Sequence, residues 1–153
     1  MEAATKDAKP AAAEHATVLA FDFGTRKIGV AVGNTAVRIA HPLTTITGEA
    51  NALRFKAIEG LITEWLPSLL VVGHPFNADG TVNNMTGRAE RFARQLEGRF
   101  GLPVVCVDER YTSRTAAVAL GEAGVHGRAR DEAIDEVAAQ VILQAWFEDH
   151  APR

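Results

Sequence analysis

The chain has 153 residues and a formal net charge of −3, with 47% hydrophobic and 23% charged residues. These values are typical of one globular domain that folds without disulfides or a structural metal, and a single cysteine excludes a disulfide framework and a cysteine-based zinc cluster. No apolar run approaches the ~20 residues of a membrane span, so no membrane partner is expected. We predict a disordered tail over 1–16, rather than a signal peptide, one domain over 17–149 and a short tail over 150–153.

Charge is unevenly distributed along the chain. Residues 81–130 carry 8 basic and 5 acidic side chains, whereas 131–153 carry 1 basic and 6 acidic side chains. A basic middle beside an acidic end is compatible with a surface that binds a polyanion next to one that binds cations. Ordinary solvated helix faces give the same pattern, so charge alone leaves both interpretations open.

The first three predicted elements are short strands. Residues 17–23, 27–33 and 37–46 are rich in β-branched and aromatic residues, and a Gly-Thr-Arg turn at 24–26 separates the first two. Strands joined by such tight connections predict an antiparallel meander.

Helices and strands alternate through the rest of the chain. Leu53, Ala57, Leu61 and Ile62 have helical spacing and Pro67 lies just beyond them, so we expect a helix over 50–66. The further predicted elements are a strand over 69–73, a helix over 85–100, a strand over 103–107 and helices over 112–122 and 131–147.

This order of elements predicts the fold class. Three antiparallel strands followed by two helix-connected parallel strands give an α/β fold with a five-stranded mixed sheet and helices on both of its faces.

Acidic residues at the strand ends do not fit an ordinary surface. Asp22 lies inside an apolar strand, where a buried carboxylate is costly unless a cation compensates it. Alternatively, Asp22 caps the turn that follows. Asp108 and Glu109 end the fifth strand, at the edge where open α/β sheets bind ligands, or one of them caps the next helix.

A further acid, Asp135, borders the apolar stripe of the last helix. Its neighbours at i+3 and i+4 are Ala138 and Ala139, which would let the helix approach the sheet closely. Alternatively, Asp135 is only a favourable acid near a helix N-terminus.

If these carboxylates converge, they need divalent cations, and oxygen ligands suit Mg²⁺ or Mn²⁺. Two such ions can hydrolyse phosphodiesters without a covalent nucleophile.

Four ordered motifs cover about residues 17–148. They are DFGTRKIGVAVG at 22–33, VVGHPFN at 71–77 with DGT at 79–81, DERYT at 108–112, and Ile-Asp at 134–135 followed by Ala-Ala at 138–139 and Ile-Leu at 142–143. Together they resemble the YqgF/RuvX family. Its members have the ribonuclease H-like fold, are related to Holliday-junction resolvases, and are regarded as nucleases that mature the 5′ end of pre-16S rRNA in the bacterial cytoplasm.

The resemblance implies Asp22, Glu109 and Asp135 as the catalytic, metal-binding triad, with Asp108 as the alternative to Glu109. It implies Mg²⁺ or Mn²⁺ as the cofactor, with two ions. True resolvases place their middle acid at the end of the fourth strand, where this chain reads Val-Val-Gly at 71–73, so a carboxylate from the fifth strand has to take that role. His74 stands where the family commonly has leucine, and we expect it to face the loop or the substrate rather than a metal.

Phosphate contacts are predicted at three places. Backbone N–H groups and a guanidinium in the turn after the first strand can hold a phosphate. An arginine beside the second acid can stabilise the scissile phosphate or form an internal ion pair. Arginines at i, i+3 on the second helix can follow a nucleic-acid backbone or form a solvated face. The candidate substrate-binding residues are therefore Gly24, Thr25, Arg26, Arg88, Arg91, Arg110 and Thr112.

The expected function is that of a metal-dependent endonuclease acting on structured RNA, with 5′-end processing of pre-16S rRNA as the resemblance implies. The partner is then pre-rRNA, with branched DNA as the substrate if the protein is instead a Holliday-junction resolvase. We expect a cytoplasmic monomer or weak homodimer. The sequence also fits a non-catalytic RNA-binding ribosome-assembly factor. It fits half of an actin-like ATPase less well, because the chain is short for that fold and offers no adenosine site.

Overall fold

The computed structural model describes residues 16–109 and 127–149 of the chain. The helix predicted over 112–122 and both predicted tails, apart from Ala16, lie outside these ranges. The elements in chain order are β1 (Thr17–Phe23), β2 (Lys27–Asn34), β3 (His41–Thr47), α1 (Asn51–Trp65), β4 (Leu69–His74), α2 (Asn84–Phe100), β5 (Val104–Asp108) and α3 (Gly127–Asp149).

The five strands form one sheet in the order β3-β2-β1-β4-β5. β2 is antiparallel to both β1 and β3, whereas β4 runs parallel to β1 and β5 runs parallel to β4. The predicted mixed sheet, with its meander followed by two parallel strands, is therefore confirmed.

Helices cover both faces of the sheet, and each face has its own apolar core. Alternation of side chains along β1 sends Leu19 and Phe21 to one face and Val18 and Ala20 to the other. α1 and α2 pack on the first face and α3 on the second. The first core includes Ile28, Phe55, Ile58, Leu70, Phe92 and Leu96, and the second includes Ala31, Val71, Ala139, Ile142, Leu143 and Phe147.

The buried side of α1 includes only some of the apolar residues that predicted the helix. Leu53 is 70% exposed and Ala57 is also exposed, whereas Arg54, Phe55 and Ile58 are buried. Apolar residues occur around much of this helix, so two overlapping faces fit a helical spacing. The face with the larger aromatic residue packs on the sheet because it buries more apolar area.

The start of β3 and the start of α3 also differ from the prediction. The third strand begins at His41, not at 37, because the chain turns first: the N–H of Arg38 donates to the carbonyl of Asn34 at 2.7 Å, and Arg38 has a φ of 62°. α3 begins at Gly127, four residues before the predicted start, because its apolar stripe starts only at Ile134 and leaves the first turns without a periodic signal.

The segment before β3 anchors α3 along the sheet. The side chain of Gln144 accepts from the N–H of Ala40 at 3.0 Å and donates to the carbonyl of Arg38 at 3.2 Å. Gln140 donates to the carbonyl of Ala40 at 3.1 Å. These bonds fix the position of α3 over β1 and β2. Within the described residues, no helix combines the length and the apolar character needed to cross a membrane.

Candidate active site

Asp22 lies near the carboxyl end of β1 and is paired with Gly29 of β2. Alternation along the strand places its side chain on the same face as Val18 and Ala20, which is the face that α3 covers. The carboxylate is therefore half-buried on the α3 side of the sheet rather than at the tip of the turn.

Gly29 brings the backbone of α3 directly onto the sheet beside Asp22. A Cβ atom at this position would lie 1.9 Å from the carbonyl oxygen of Asp135. Only a residue without a side chain permits this approach. Because Gly29 and Asp22 are cross-strand neighbours, the contact also brings Asp135 close to Asp22.

Glu109 reaches the same region from the end of β5. Its N–H donates to the carbonyl of His74 at 3.1 Å, which holds the backbone at the end of β4. Its Oε2 atom lies 2.5 Å from where a Cβ of Gly73 would stand, so the carboxylate rests over the glycine. Asp108, one residue earlier, is exposed, whereas Glu109 is half-buried.

The acids affect one another electrostatically. Burial raises the pKa of Asp22 to about 8, and the negative charges of Glu109 and then Asp135 contribute further. Burial, followed by the charge of Asp108, raises the pKa of Glu109 to about 7. The structure therefore brings Asp22, Glu109 and Asp135 together as one repelling cluster.

The donor set of this cluster suits a hard divalent cation. It offers carboxylate oxygens only, and the charges of Glu109 and Asp135, which add to the effect of burial on Asp22, produce a repulsion that a cation relieves. Over residues 16–109 and 127–149, no three His, Cys, Asp or Glu side chains already form a group able to hold a metal ion. The acids are thus neighbours rather than a preassembled cage.

The side chain of His74 contacts a helix. Its Nε2 lies 2.7 Å from Oε2 of Glu90 on α2, and its ring centroid is 4.4 Å from that of Phe76. His74 is the last residue of β4 and not a loop residue, because the strand continues one residue beyond its predicted end.

The turn that was predicted to bind a phosphate is contacted by Arg54, a residue that was not among the predicted candidates. The carbonyls of Gly24 and Thr25 both accept hydrogen bonds from the guanidinium of Arg54, the second at 3.1 Å. Arg26 is exposed and its Nε lies 3.6 Å from Oε2 of Glu49. Two further candidates, Arg88 and Arg91, are exposed on α2 and line a cavity together with Thr25 and Arg54. Arg110 and Thr112 lie outside the described residues.

A signal for Arg54 was present in the sequence. It precedes Phe55 and stands at i−4 and i−8 from Ile58 and Ile62, so it shares the face that packs on the sheet. A charged residue on an apolar helix face is the same type of anomaly that identified Asp22.

The sequence that forms this site matches a known protein family. A family model described as "RuvX: Holliday junction resolvase" matches residues 16–149, which is most of the chain. The chain belongs to the RuvX family. Its relatives include two proteins named "Putative pre-16S rRNA nuclease". The one from Methylobacillus flagellatus is 51% identical over 140 residues, covering 92% of this chain and 96% of the relative. The one from Nitrosospira multiformis is 49% identical over 148 residues, covering 97% and 96%.

Solved structures share the RuvX fold at low sequence identity. RuvC of T. thermophilus, in complex with a Holliday junction substrate, is 17% identical with a TM-score of 0.54, covering 88% of this chain and 95% of RuvC. The Fowlpox virus resolvase, also with Holliday junction DNA, is 9% identical with a TM-score of 0.56, covering 89% and 99%. The predicted ribonuclease H-like fold is confirmed.

Proposed function

We propose that this RuvX-family protein is a metal-dependent endonuclease that hydrolyses phosphodiester bonds in structured RNA, and that its substrate is the 5′ end of pre-16S rRNA. The observation that carries the proposal is the convergence of Asp22, Glu109 and Asp135 at one edge of the sheet, where burial, and then the charges of Glu109 and Asp135, raise the pKa of Asp22 to about 8. The substrate class is supported by the names of relatives that are about half identical over nearly the whole chain.

Asp22, Glu109 and Asp135 are the residues that would hold Mg²⁺ or Mn²⁺, with two ions as the full complement. Such ions, when bound, activate a water molecule and stabilise the leaving oxygen of a phosphodiester. We select Glu109 rather than Asp108 because Glu109 is half-buried against Gly73 and acts on Asp22, whereas Asp108 is exposed.

The chain's own residues contribute rigidity and exclusion of water. α3 lies directly on Gly29, so it shields one side of Asp22 from solvent. The bond from the N–H of Glu109 to His74 fixes the backbone from which the second carboxylate extends. Carboxylates fixed in this way would hold divalent cations without reorganisation during the reaction.

A Holliday-junction resolvase is the second candidate function. The description of the family model favours it, and one structural observation does so as well. The carboxylate of Glu109 lies over Gly73 at the end of β4, which is the strand end from which true resolvases extend their middle acid. A junction presents two symmetry-related cuts, so this candidate requires a stable two-fold dimer.

One cleavage assay separates these functions. Purified protein is incubated with pre-16S rRNA carrying its 5′ leader, and separately with a four-way DNA junction, in Mg²⁺, in Mn²⁺ and in EDTA. We expect metal-dependent cleavage of the RNA, which Asp22→Asn and Asp135→Asn abolish and Glu59→Gln, an exposed acid on α1, preserves. Cleavage of the junction but never of RNA would contradict the proposal. Unchanged cleavage by the Asp22→Asn, Asp135→Asn double variant would indicate a contaminant and favour a non-catalytic assembly factor.

We further propose that the protein acts in the cytoplasm, where bacterial rRNA is made, and as a monomer or weak homodimer. Sedimentation of the purified protein alone and with RNA measures this directly, and a tight dimer at low concentration would instead favour the resolvase.

A further inference from the structure

A cavity lies on the opposite face of the sheet from Asp22. It has a volume of about 430 Å³ and is lined by residues of the turn after β1, the start of α1 and one side of α2. Phe23, Phe55 and Phe92 supply its apolar lining, and the ring centroids of Phe23 and Phe92 are 4.8 Å apart. We name it the Arg54 cavity after its most buried charged residue.

Arg54 is only 5% exposed, although it carries a charge. Its two terminal nitrogens donate to the carbonyls of Gly24 and Thr25, and its guanidinium lies 5.0 Å from the ring centroid of Phe23. Its Nε–H has no acceptor among the described residues. A guanidinium stays protonated in proteins, so this is a buried positive charge with one unused donor.

No ion pair neutralises Arg54 within the part of the chain that the structure describes. Glu49 lines the same cavity and its charge acts on Arg54, but its carboxylate is largely exposed and pairs with Arg26 at 3.6 Å. A buried charge without a direct ionic partner is destabilising on its own. An anion bound in the cavity would offset the charge of Arg54 more directly than the exposed Glu49 does.

Two further features make the cavity electropositive. Arg88 and Arg91, at i and i+3 on α2, line it and are exposed. α1 begins at its edge with Asn51, and the helix has neither a side-chain cap at Ala50 nor an acid in its first turn. Its free N–H groups and the positive end of its dipole thus add to the attraction of an anion.

We propose that the Arg54 cavity is a phosphate subsite that holds one phosphodiester of the substrate RNA, away from the bond that is cut. This inference rests on the proposed nuclease function. Asp22 and Phe23 are consecutive residues of β1 whose side chains lie on opposite faces. A strand that is cut beside Asp22 therefore reaches the cavity as it crosses the sheet edge, where Arg88 and Arg91 bind its phosphate oxygens.

The experiment measures binding of a short fluorescein-labelled single-stranded RNA by fluorescence anisotropy over a range of salt concentrations. All proteins carry Asp22→Asn, so that no RNA is cut. Arg88→Gln combined with Arg91→Gln is expected to weaken binding about tenfold and to lower the salt dependence of log Kd by about 0.7, the value for one phosphate of a single strand. Arg94→Gln is the matched control because it is exposed on α2 and does not line the cavity. It is expected to change binding by less than about twofold.

The outcome that overturns the inference is a double variant that binds RNA as Arg94→Gln does. A second arm titrates the protein with AMP in a calorimeter. If AMP binds and the double variant loses that binding while RNA binding is unchanged, the cavity takes a free nucleotide and the inference is also wrong. Because Arg54 itself holds the turn after β1, Arg54→Lys is tested with a urea unfolding curve beside it: weaker RNA binding at unchanged stability supports the inference.

Failure of this inference is distinguishable from failure of the nuclease proposal. If the double variant binds RNA normally while Asp22→Asn abolishes cleavage, only the subsite is wrong. If Asp22→Asn still cleaves RNA while the double variant loses RNA binding, the subsite stands and the assignment of the catalytic acids fails.

Discussion

The two faces of the sheet carry opposite charges at the end of β1. On the face under α3, Asp22 meets Glu109 and Asp135. On the face under α1 and α2, the next residue, Phe23, lies beside Arg54 in a cavity with two more arginines. A single step along a strand reverses the direction of the side chain, so consecutive residues can serve a cation-binding and an anion-binding region.

The two faces also differ in how closely the helices approach. At Gly29 the backbone of α3 touches the sheet, which fixes the acidic cluster in place. On the other side, the aromatic rings of Phe55 and Phe92 pack in the core and line an open volume. Close backbone packing suits a rigid reactive site, whereas side-chain spacing suits a site that admits part of a ligand.

The largest expected effect is on the cleavage rate. It tests whether the face under α3 carries out catalysis while the opposite face binds RNA. Asp22→Asn should lower kcat for RNA cleavage about a thousandfold, equal to about 4 kcal/mol, because metal ions supply several kcal/mol of charge stabilisation. Arg88→Gln with Arg91→Gln should mainly raise KM, since the phosphate subsite binds ground and transition states alike. Steady-state kinetics in Mg²⁺ measure both, with Glu59→Gln as the control. Equal losses of kcat in the two variants would show that catalysis and RNA binding are not separated between the two faces.

The next effect concerns the close packing under α3. Gly29→Ala should destabilise the protein by about 1–3 kcal/mol, because its Cβ would overlap the carbonyl oxygen of Asp135 and the helix has to move. The displaced Asp135 should also reduce cleavage. Urea unfolding and the cleavage assay measure the two effects, with Gly98→Ala, which has open space around its Cβ position, as the control. A variant that keeps full activity would mean that Asp135 needs no close approach.

Much of this comparison could be predicted from the sequence. The carboxylate in an apolar strand identified Asp22, and the small residues after Asp135 predicted a close helix. Both signals are polar or small residues that interrupt an otherwise regular apolar pattern, and such interruptions can be recognised in the sequence. The strand pattern also predicted the order of antiparallel and parallel pairs.

The rest depended on tertiary contacts. The buried side of α1 could not be chosen from spacing alone, so Arg54 was not among the predicted site residues. The late start of β3 depends on Arg38 adopting a left-handed φ of 62°. Non-glycine residues rarely adopt such a φ, so the sequence does not predict it. The position of the Glu109 carboxylate over Gly73, on which the proposed choice of Glu109 over Asp108 rests, also depends on tertiary structure.

A smaller effect is the dependence of stability on pH in the absence of metal. The folded-state pKa values of Asp22 and Glu109, about 8 and about 7, lie above the ordinary values of 3.8 and 4.5. These groups thus favour the folded state most at low pH, and their contribution is lost as the pH rises through 7 and 8. In EDTA, Tm should fall between about pH 5 and pH 8 by several degrees, which corresponds to about 1–2 kcal/mol.

Two comparisons isolate the acidic cluster as the origin of this slope. Asp22→Asn should flatten the dependence of Tm on pH, whereas Glu59→Gln should leave it as in the wild type. Mg²⁺ added at pH 8 should raise the Tm of the wild type more than that of Asp22→Asn. A steeper slope in Asp22→Asn would contradict the direction of the pKa shift.

The smallest expected effect is a change in stability. The same glycine-to-alanine substitution should stabilise the protein on one face and destabilise it on the other. Gly60 lies within α1, on the face with the cavity, and a Cβ atom there would meet nothing within 4 Å. Gly60→Ala should therefore stabilise the protein by about 0.5–1 kcal/mol, because alanine loses less conformational freedom in a helix. Urea unfolding measures the gain, and the cleavage rate should not change. Since Gly29→Ala makes the same chemical change and is expected to destabilise, a loss of stability in both variants would show that helix contacts alone do not account for the difference between the faces.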